Sequence, residues 1–306
     1  MVRILGASLA ALFGLAFGSF LNVCATRWPA HESVVRPRSH CRSCGRTLAW
    51  WENLPLLSWL FLRGRCRTCR APIGWRYPFV ELAVAASWAI TAWQQLPAFY
   101  LPGWSPASIF DAGLFAVEKM FLCWLLIALA VLDLEHLWLP DWLTLGGAAL
   151  GILINLVRFT VHFFWDTLPL HWTTASELTS HRAYVFDVVL RWLAAMVAAP
   201  LFILLVRWLY RSLRGREGMG LGDAKLMLML AAWLGLSHTL LAFFLGVVVG
   251  AIAALTLLAM PRARQSFGDW TLTKLPLGTF LAAGGLVSAL WGRPLLAAYL
   301  QWASFN

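Results

Sequence analysis

Two aspartates in an otherwise apolar chain are the residues best suited to chemistry. Asp133 lies in the segment 131–141 (VLDLEHLWLPD), and Asp223 ends the segment 218–223 (GMGLGD). A charged side chain inside or at the edge of an apolar span is costly, so each position is a functional candidate. Two carboxylates held close together share one proton, which lets one activate water while the other polarises a carbonyl. The pair therefore predicts peptide hydrolysis without a covalent intermediate and without a metal.

Structural roles for the neighbouring charged residues stay open at this point. Asp223 could cap the helix that it begins, with Lys225 in the first turn, because a short glycine-rich motif also occurs by chance. Asp141 is typical of an N-cap for the next helix. Glu135 and His136 are expected in a solvated turn, and the sequence gives little reason to make His136 a metal ligand.

Four cysteines form a second candidate site. They make two CxxC pairs with 21 residues between the pairs: Cys41, Cys44, Cys66 and Cys69. Each pair is followed by a turn of the zinc-knuckle kind, and four thiolates at this spacing can enclose zinc tetrahedrally. Two disulfides or two redox pairs are the alternatives, and disulfides are disfavoured in a reducing compartment. Cys24 and Cys123 lie in apolar spans, and we interpret both as inert buried residues.

The elements that must position these residues are membrane helices. Hydrophobic residues make up 60% of the 306 residues and charged residues only 12%, which excludes an ordinary soluble domain. Apolar runs of about 20 residues match the thickness of a bilayer core. Eight spans are predicted, at about 4–25, 79–95, 113–132, 142–163, 184–208, 224–236, 238–260 and 276–300. A weak hairpin at 235–238 joins the sixth and seventh spans, and a re-entrant hairpin there would reduce the count to seven.

The distribution of positive charge predicts the orientation. The segment from Arg27 to Arg76 contains ten Arg and two acidic residues, within a chain of net charge +10. In a membrane protein this bias is better explained by the positive-inside rule than by nucleic-acid binding, which we do not expect. Basic segments 27–78, 207–225 and 261–274 then face the cytoplasm. Both aspartates are predicted at that same face.

The predicted fold is an all-α polytopic membrane protein of about eight transmembrane helices, with a small cytoplasmic zinc-binding domain between the first two spans. We divide it into a retained first span at 1–26, a zinc-binding domain with four cysteine ligands at 27–78 and a transmembrane protease core at 79–306. The first apolar stretch is too long for a signal-peptide core.

Further motifs give the chain a resemblance to a known family. Beside the aspartate segments stand GSFLNV at 18–23, RWP at 27–29, WENLPL at 51–56 and RYP at 76–78 with Glu81. In this order they resemble the type 4 prepilin peptidases, which are GxGD membrane aspartyl proteases. The resemblance covers most of the chain.

The resemblance implies a function and a catalytic pair. Asp133 and Asp223 would be the catalytic residues, and the substrates would be prepilins or type II secretion pseudopilins in the bacterial inner membrane. Cleavage would follow the Gly that ends a short basic leader, at the cytoplasmic face and among membrane lipid. Members with four cysteines typically also methylate the new N-terminus with S-adenosylmethionine.

The chain departs from the family pattern in three places. Loops 96–112 and 165–183 are long, the stretch from Pro29 to Cys41 is short, and the usual Pro-Phe-Gly-Pro reads PLGT at 276–279. We expect none of these departures to touch the aspartates.

Residues for the methylation site are harder to assign. A glycine-rich cofactor loop after a strand is not visible. Candidates for binding the methyl donor are Glu52, Asn53 and Gly64 in the cysteine loop and Glu81 at the edge of a span, each with a structural role as the alternative. Two other functions stay open: a protease with a purely structural zinc loop, and a non-enzymatic membrane scaffold or transporter.

Overall fold

Helices dominate the residues that the computed structural model describes, which are 1–96, 106–167, 175–215, 220–259 and 276–304. The α-helices are α1 (Val2–Arg27), α2 (Leu57–Phe61), α3 (Arg76–Gln95), α4 (Pro106–His136), α5 (Asp141–Thr167), α6 (Ala175–Arg214), α7 (Leu221–Ala259) and α8 (Leu277–Ser304). A 3₁₀ helix covers Trp50–Asn53, and β-type pairing in these residues is confined to two isolated bridges. The predicted all-α class is confirmed.

Six stretches within these helices are long and apolar enough to cross a membrane. They are Val2–Arg27, Ala112–His136, Asp141–Thr160, Ala183–Arg214, Leu221–Thr256 and Leu277–Ser304. The protein is therefore an integral membrane protein. Helix α3 coincides with the predicted second span at 79–95 but is less apolar, so the count of eight spans stays a prediction.

Helix α7 covers two predicted spans and reverses direction between them. Gly235 breaks the helix with φ 74° and ψ 176°, a conformation that glycine adopts without a steric penalty. Near the start of α8, Phe280 packs against Gly246 and Gly250, whereas Gly292 packs against His238. The arm after Gly235 therefore runs antiparallel to α8, back toward the end of α7 that carries Asp223. This reversal agrees with the predicted hairpin at 235–238.

The first compact unit of the chain is Met1–Val131. Helices α1 and α3 approach closely because Gly14 and Gly18 face the α3 backbone; a Cβ at either would lie 2.7 Å from a Cα atom of α3. Small residues four apart are a common means of packing helices in lipid. The indole N–H groups of Trp88 and Trp124 then join α3, α4 and α1 by donating to backbone carbonyls.

The second compact unit is Leu132–Asn306. Its helices α7 and α8 are in contact at Gly284, where a Cβ would lie 2.1 Å from the Ala242 carbonyl oxygen. Three N–H groups donate to backbone carbonyls across helices α5, α6 and α7, from Asn155, Trp192 and Trp233. This packed helix set holds both aspartates. The predicted boundaries at 26/27 and 78/79 stay a prediction.

Several predicted features lie wholly or partly outside the described residues. They are Gly218 and Met219 of the glycine-rich segment, and the loops 96–112, 165–183 and 261–274.

Candidate active site and metal cluster

Asp133 lies in the last turn of α4 and is only 6% exposed. Its Oδ2 accepts two hydrogen bonds from one residue of α8: the Thr279 N–H at 2.7 Å and the Thr279 hydroxyl at 3.2 Å. Thr279 is the third residue of its helix, where backbone N–H groups lack the usual intrahelical partner. The Asp133 carboxylate thus binds the N-terminus of another helix.

Asp223 is the third residue of α7 and is 7% exposed. Its Oδ2 accepts the Gly220 N–H at 3.1 Å, so the side chain reaches back to the start of its own helix. This contact is the N3 half of a capping box, so Asp223 is not the N-cap that was considered but supports the helix start from inside its first turn. The charge of Asp133 also acts on Asp223, which places the two carboxylates within electrostatic reach. Capping and catalysis are compatible for this residue.

Leu139 and two glycines bring the helix ends together around the aspartates. A Cβ at Gly222 would lie 3.1 Å from Leu139 Cδ1. A Cβ at Gly278 would lie 2.8 Å from the same Leu139 atom and 3.0 Å from Asp133 Oδ2. The two helix N-termini approach Leu139 this closely because neither position has a side chain. Glycine at position 222 therefore allows the start of α7 to contact the segment that contains Leu139.

The other charged residues of these segments pair with one another. Lys225 Nζ lies 2.5 Å from Asp141 Oδ1, which joins the first turns of α7 and α5. Asp141 is the first residue inside α5 and not the residue before the helix, so the predicted N-cap role is wrong by one position. Glu135 and His136 are exposed at the end of α4, where His136 Nε2 lies 3.8 Å from Glu135 Oε2.

Two buried carboxylates near two helix N-termini can carry out acid–base chemistry on a peptide. Low exposure excludes most competing water, which strengthens electrostatic interactions at the site. A pair that shares one proton supplies both a base for water and an acid for the scissile carbonyl. This site, at the ends of α4, α7 and α8, is therefore suited to hydrolysis of a peptide bond.

The four cysteines converge as the spacing predicts. Their Sγ atoms all lie within 4.8 Å of one another, and those of Cys41 and Cys69 are 3.7 Å apart. Four sulfurs about 2.3 Å from a tetrahedral zinc would be roughly 3.8 Å apart, so the donor set fits this ion. None of the six cysteines forms a disulfide, and Cys24 and Cys123 are fully buried as expected.

The two halves of this cluster repeat one hydrogen-bonding pattern. The Cys41 N–H donates to the Arg46 carbonyl, and the Cys66 N–H donates to the Ala71 carbonyl. Isolated β-bridges close both turns, at His40 with Thr47 and at Arg65 with Pro72. The fifth residue of each turn has positive φ, 71° at Gly45 and 60° at Arg70. Both turns therefore have the zinc-knuckle form that was predicted.

The knuckle backbone favours the thiolate form of Cys41 and Cys66, one cysteine from each pair, whereas burial and the neighbouring sulfurs raise the pKa of Cys69. The N–H groups of Cys69 and Thr68 lower the pKa of Cys66 to about 6. Those of Cys44 and Ser43 lower the pKa of Cys41 in the same way. Hydrogen bonds to the charged form stabilise a thiolate, which is the form that binds metal.

Family models match both halves of the chain. The model described as "Bacterial Peptidase A24 N-terminal domain" matches residues 12–95, and the model described as "Type IV leader peptidase family" matches residues 120–255. The chain belongs to the type IV leader peptidase family.

Curated relatives in this family match along nearly the whole chain. Three share the name "Prepilin leader peptidase/N-methyltransferase". The protein of Stutzerimonas stutzeri is 32% identical over 96% of this chain and 93% of its own length. The protein of Pseudomonas putida is 33% identical over 97% and 95%, and that of Burkholderia pseudomallei strain 1026b is 36% identical over 94% and 86%. No solved structure matches the chain.

In this leader peptidase, three of the four predicted cofactor residues have structural contacts: Glu52, Gly64 and Glu81. The Glu52 carboxylate is 2.6 Å from Arg46 Nη2 and accepts the Ala49 N–H at 2.8 Å; the Arg46 hydrogen bond holds the pKa of Glu52 below its usual value. Gly64 lies against Trp59, whose indole would be 2.9 Å from a Cβ. Asn53 differs because it is exposed at the end of the 3₁₀ helix.

Glu81 links the cysteine loop to the helices. It is 7% exposed in α3, and its Oε2 accepts the Leu56 N–H at 2.7 Å. The Ser19 hydroxyl of α1 also hydrogen-bonds this carboxyl group. Leu56 has a positive φ of 58°, so the carboxylate holds a strained loop residue in place.

Sequence reasoning missed two residues of the aspartate site. Gly278 and Thr279 belong to the PLGT segment, which was expected not to involve the aspartates. That expectation was wrong, because Thr279 donates twice to Asp133 and Gly278 lies against its carboxylate. The departure from the family pattern at 276–279 was the available signal. Thr279, however, is 146 residues from Asp133, the residue that it contacts.

Proposed function

We propose that this protein is a membrane aspartyl endopeptidase that removes the basic leader of type IV prepilins or type II secretion pseudopilins. Cleavage follows the terminal Gly of the leader, at the cytoplasmic face of the bacterial inner membrane. Asp133 and Asp223 form the catalytic pair. After cleavage the enzyme N-methylates the new N-terminal residue with S-adenosylmethionine. Family membership and the names of the relatives support both activities.

The convergence of Asp133 and Asp223 carries the protease assignment. Both are buried at helix ends within one compact unit, and each accepts a backbone N–H from a helix N-terminus. The ionised member takes a proton from water, and the protonated member donates to the carbonyl oxygen of the scissile bond. As the tetrahedral diol collapses, the proton taken from water passes to the leaving amine and a hydroxyl proton of the diol returns to the other carboxylate, so the pair again holds one proton.

One zinc ion held by Cys41, Cys44, Cys66 and Cys69 is the proposed metal. The distances among the four sulfurs support this choice. Its role is structural, because binding free energy becomes folding free energy in a loop with little core of its own.

The proposed binding site of the methyl donor rests on four candidate residues. Glu52, Asn53, Gly64 and Glu81 stay our candidates, and Asn53 is the one whose side chain is exposed to a ligand. Methylation needs a free amine, which exists only once the leader has been removed. Bound S-adenosylmethionine would supply the methyl group, with its S–CH3 bond broken and S-adenosylhomocysteine leaving as the N–CH3 bond forms, and a carboxylate near the amine would accept the proton that is released.

Incubation of the purified protein in lipid nanodiscs with a prepilin tests both activities. A gel shift reports cleavage, and mass spectrometry of the new N-terminus reports methylation, with and without S-adenosylmethionine. We expect Asp133→Asn and Asp223→Asn each to lower cleavage by at least about a thousandfold, because an amide can neither accept nor hold the shared proton. Asp187→Asn, at an exposed ion pair of α6, is the matched control. Near-normal cleavage by either aspartate variant refutes the catalytic pair, and cleavage without methylation leaves a protease with a structural metal loop.

A further inference from the structure

Helix α2, in the cysteine loop, presents an apolar face that the rest of the first unit leaves uncovered. Its residues Leu57, Leu60 and Phe61 are exposed, and Phe61 is 81% exposed. Positions i, i+3 and i+4 lie on one side of a helix, so the three side chains form a single face. A contiguous apolar patch of this kind marks contact with another molecule or with a membrane.

Contacts on the other sides of α2 hold this face outward. Just before the helix, the Leu56 N–H donates to the Glu81 carboxylate of α3 at 2.7 Å. Across the helix from Phe61, the Trp59 indole N–H donates to the Ile73 carbonyl at 3.1 Å. Helix α2 is therefore fixed against the start of α3, and its apolar face points away from both contacts.

An aromatic row joins α2 to the exposed side of α3. The ring centroids of Trp59 and Trp75 are 4.4 Å apart, and those of Trp75 and Phe79 are 6.2 Å apart. Trp75, Phe79, Leu82 and Trp93 are exposed and recur at helical spacing, so they form one uncharged stripe. The apolar face of α2 continues this stripe at its cytoplasmic end.

The stripe on α3 has the dimensions of a lipid-facing surface. Trp93 comes 18 residues after Trp75, and at 1.5 Å per residue the two are about 27 Å apart, close to the bilayer core of about 30 Å. Tryptophan is enriched at both membrane interfaces. The candidate span α1 packs against the opposite side of α3 at Gly14 and Gly18. Trp75, and with it α2, therefore lies at the level of the membrane surface.

The charge beside α2 is complementary to anionic lipid. Segment 57–76 contains five Arg and neither Asp nor Glu. Arg63 and Arg65 follow α2 directly and are exposed. An apolar helix face with arginines beside it is the composition that binds an anionic membrane surface. The same charges repel a basic leader, so the leader of the proposed substrate does not suit this face.

We propose that the apolar face of α2 inserts into the cytoplasmic leaflet beside α3, and that Arg63 and Arg65 bind the phosphate groups of anionic phospholipids. This contact anchors the cysteine loop to the membrane at a third point, besides the two ends that join it to α1 and α3. It requires neither of the proposed activities.

Photocross-linking in lipid nanodiscs tests the contact directly. The discs contain phosphatidylcholine and phosphatidylglycerol, and no prepilin is present. Phe61 is replaced by p-benzoylphenylalanine, and mass spectrometry of the peptides measures phospholipid adducts after irradiation. The same probe at Thr47, an exposed polar position of the first knuckle, is the matched control. Metal content of each purified protein reports whether the cysteine loop is folded.

We expect at least about ten times more lipid adduct at position 61 than at position 47, because only the first lies in an apolar face that enters the leaflet. Equal adduct at the two positions refutes the insertion. Adduct that moves from lipid to prepilin when prepilin is added also refutes it, because the face is then a substrate site. If the protein with the probe at Phe61 does not fold, the probe at Leu60 gives the same comparison.

The role of the two arginines is measured from the composition of the adducts. We expect phosphatidylglycerol to be enriched over its share of the disc lipid in the parent. The double variant Arg63→Gln/Arg65→Gln should lower this enrichment by up to about fivefold per charge removed. Arg42→Gln, at an exposed position of the first knuckle, is the control and should keep it. Unchanged enrichment in the double variant refutes phosphate binding by Arg63 and Arg65.

Discussion

The cysteine cluster and the aspartate site are assembled over very different distances along the chain. Cys41 and Cys69 are 28 residues apart, and both belong to hydrogen-bonded turns whose form repeats locally. Asp133 and Thr279 are 146 residues apart and meet because the end of α4 lies against the start of α8. A metal can organise a short loop after synthesis, whereas the aspartates depend on the packing of long helices. Substitutions should therefore affect the two regions in different ways.

Among substitutions that leave the aspartates themselves in place, the largest effect is expected at the close contact between α8 and Asp133. Gly278→Ala would place a Cβ 3.0 Å from Asp133 Oδ2 and 2.8 Å from Leu139 Cδ1, so the carboxylate must move. We expect cleavage of prepilin to fall by about a hundredfold or more, since a displacement of about 1 Å can cost that much. Gly146→Ala in α5 is the control, because its Cβ would meet nothing within 4 Å. Equal cleavage by the two variants would show that the site tolerates misalignment.

The next effect concerns the metal of the cysteine cluster. Replacement of Cys66 and Cys69 by Ser should release the zinc and expose 27–78 to proteolysis, because the loop loses its metal-derived folding free energy. Metal analysis of the purified parent should find about one zinc per chain. Cys24→Ala and Cys123→Ala are the controls and should keep the ion, since both cysteines lie in buried helix faces. Fewer than about 0.2 zinc per chain in reduced, folded parent protein would contradict the assignment.

A smaller and more selective effect would separate the two activities. Glu52→Gln and Asn53→Ala should weaken methylation more than cleavage, whereas Glu32→Gln, at an exposed residue, should change neither. Asp133→Asn should block both on full-length substrate yet methylate a pre-cleaved pilin peptide. Mass spectrometry of peptides from each reaction measures both products. Failure of a folded Asp133→Asn protein to methylate that peptide would mean that the two sites are not separable.

The smallest effect is expected within the zinc knuckles themselves. Gly45 and Arg70 occupy equivalent positions with positive φ, which costs a side-chain-bearing residue about 1–2 kcal/mol. Arg70→Gly should therefore slow zinc loss to a chelator by a few-fold, and Gly45→Arg should speed it. Unchanged rates in both variants would mean that the backbone conformation of the knuckles does not limit metal release.

Sequence determined the local features of this protein because their signals are contained in short stretches. Apolar runs predicted the membrane helices, and the paired CxxC motifs predicted a cluster whose sulfurs do converge. The residue types of Asp133 and Asp223, set against apolar surroundings, were sufficient to single them out. The reversal near Gly235 was visible as a weak turn signal between two apolar runs.

Tertiary structure alone decided what surrounds those residues. The contact of Thr279 and Gly278 with Asp133, and the pairing of Lys225 with Asp141, join segments that are distant in the chain. The residue type of a threonine or a glycine does not predict such a contact, because the hydrogen-bonding and steric properties of both residues suit many sites. Helix packing determines these partners. The first turn of α8 has unsatisfied N–H groups, and the buried Asp133 carboxylate, which α4 places beside that turn, needs hydrogen-bond donors.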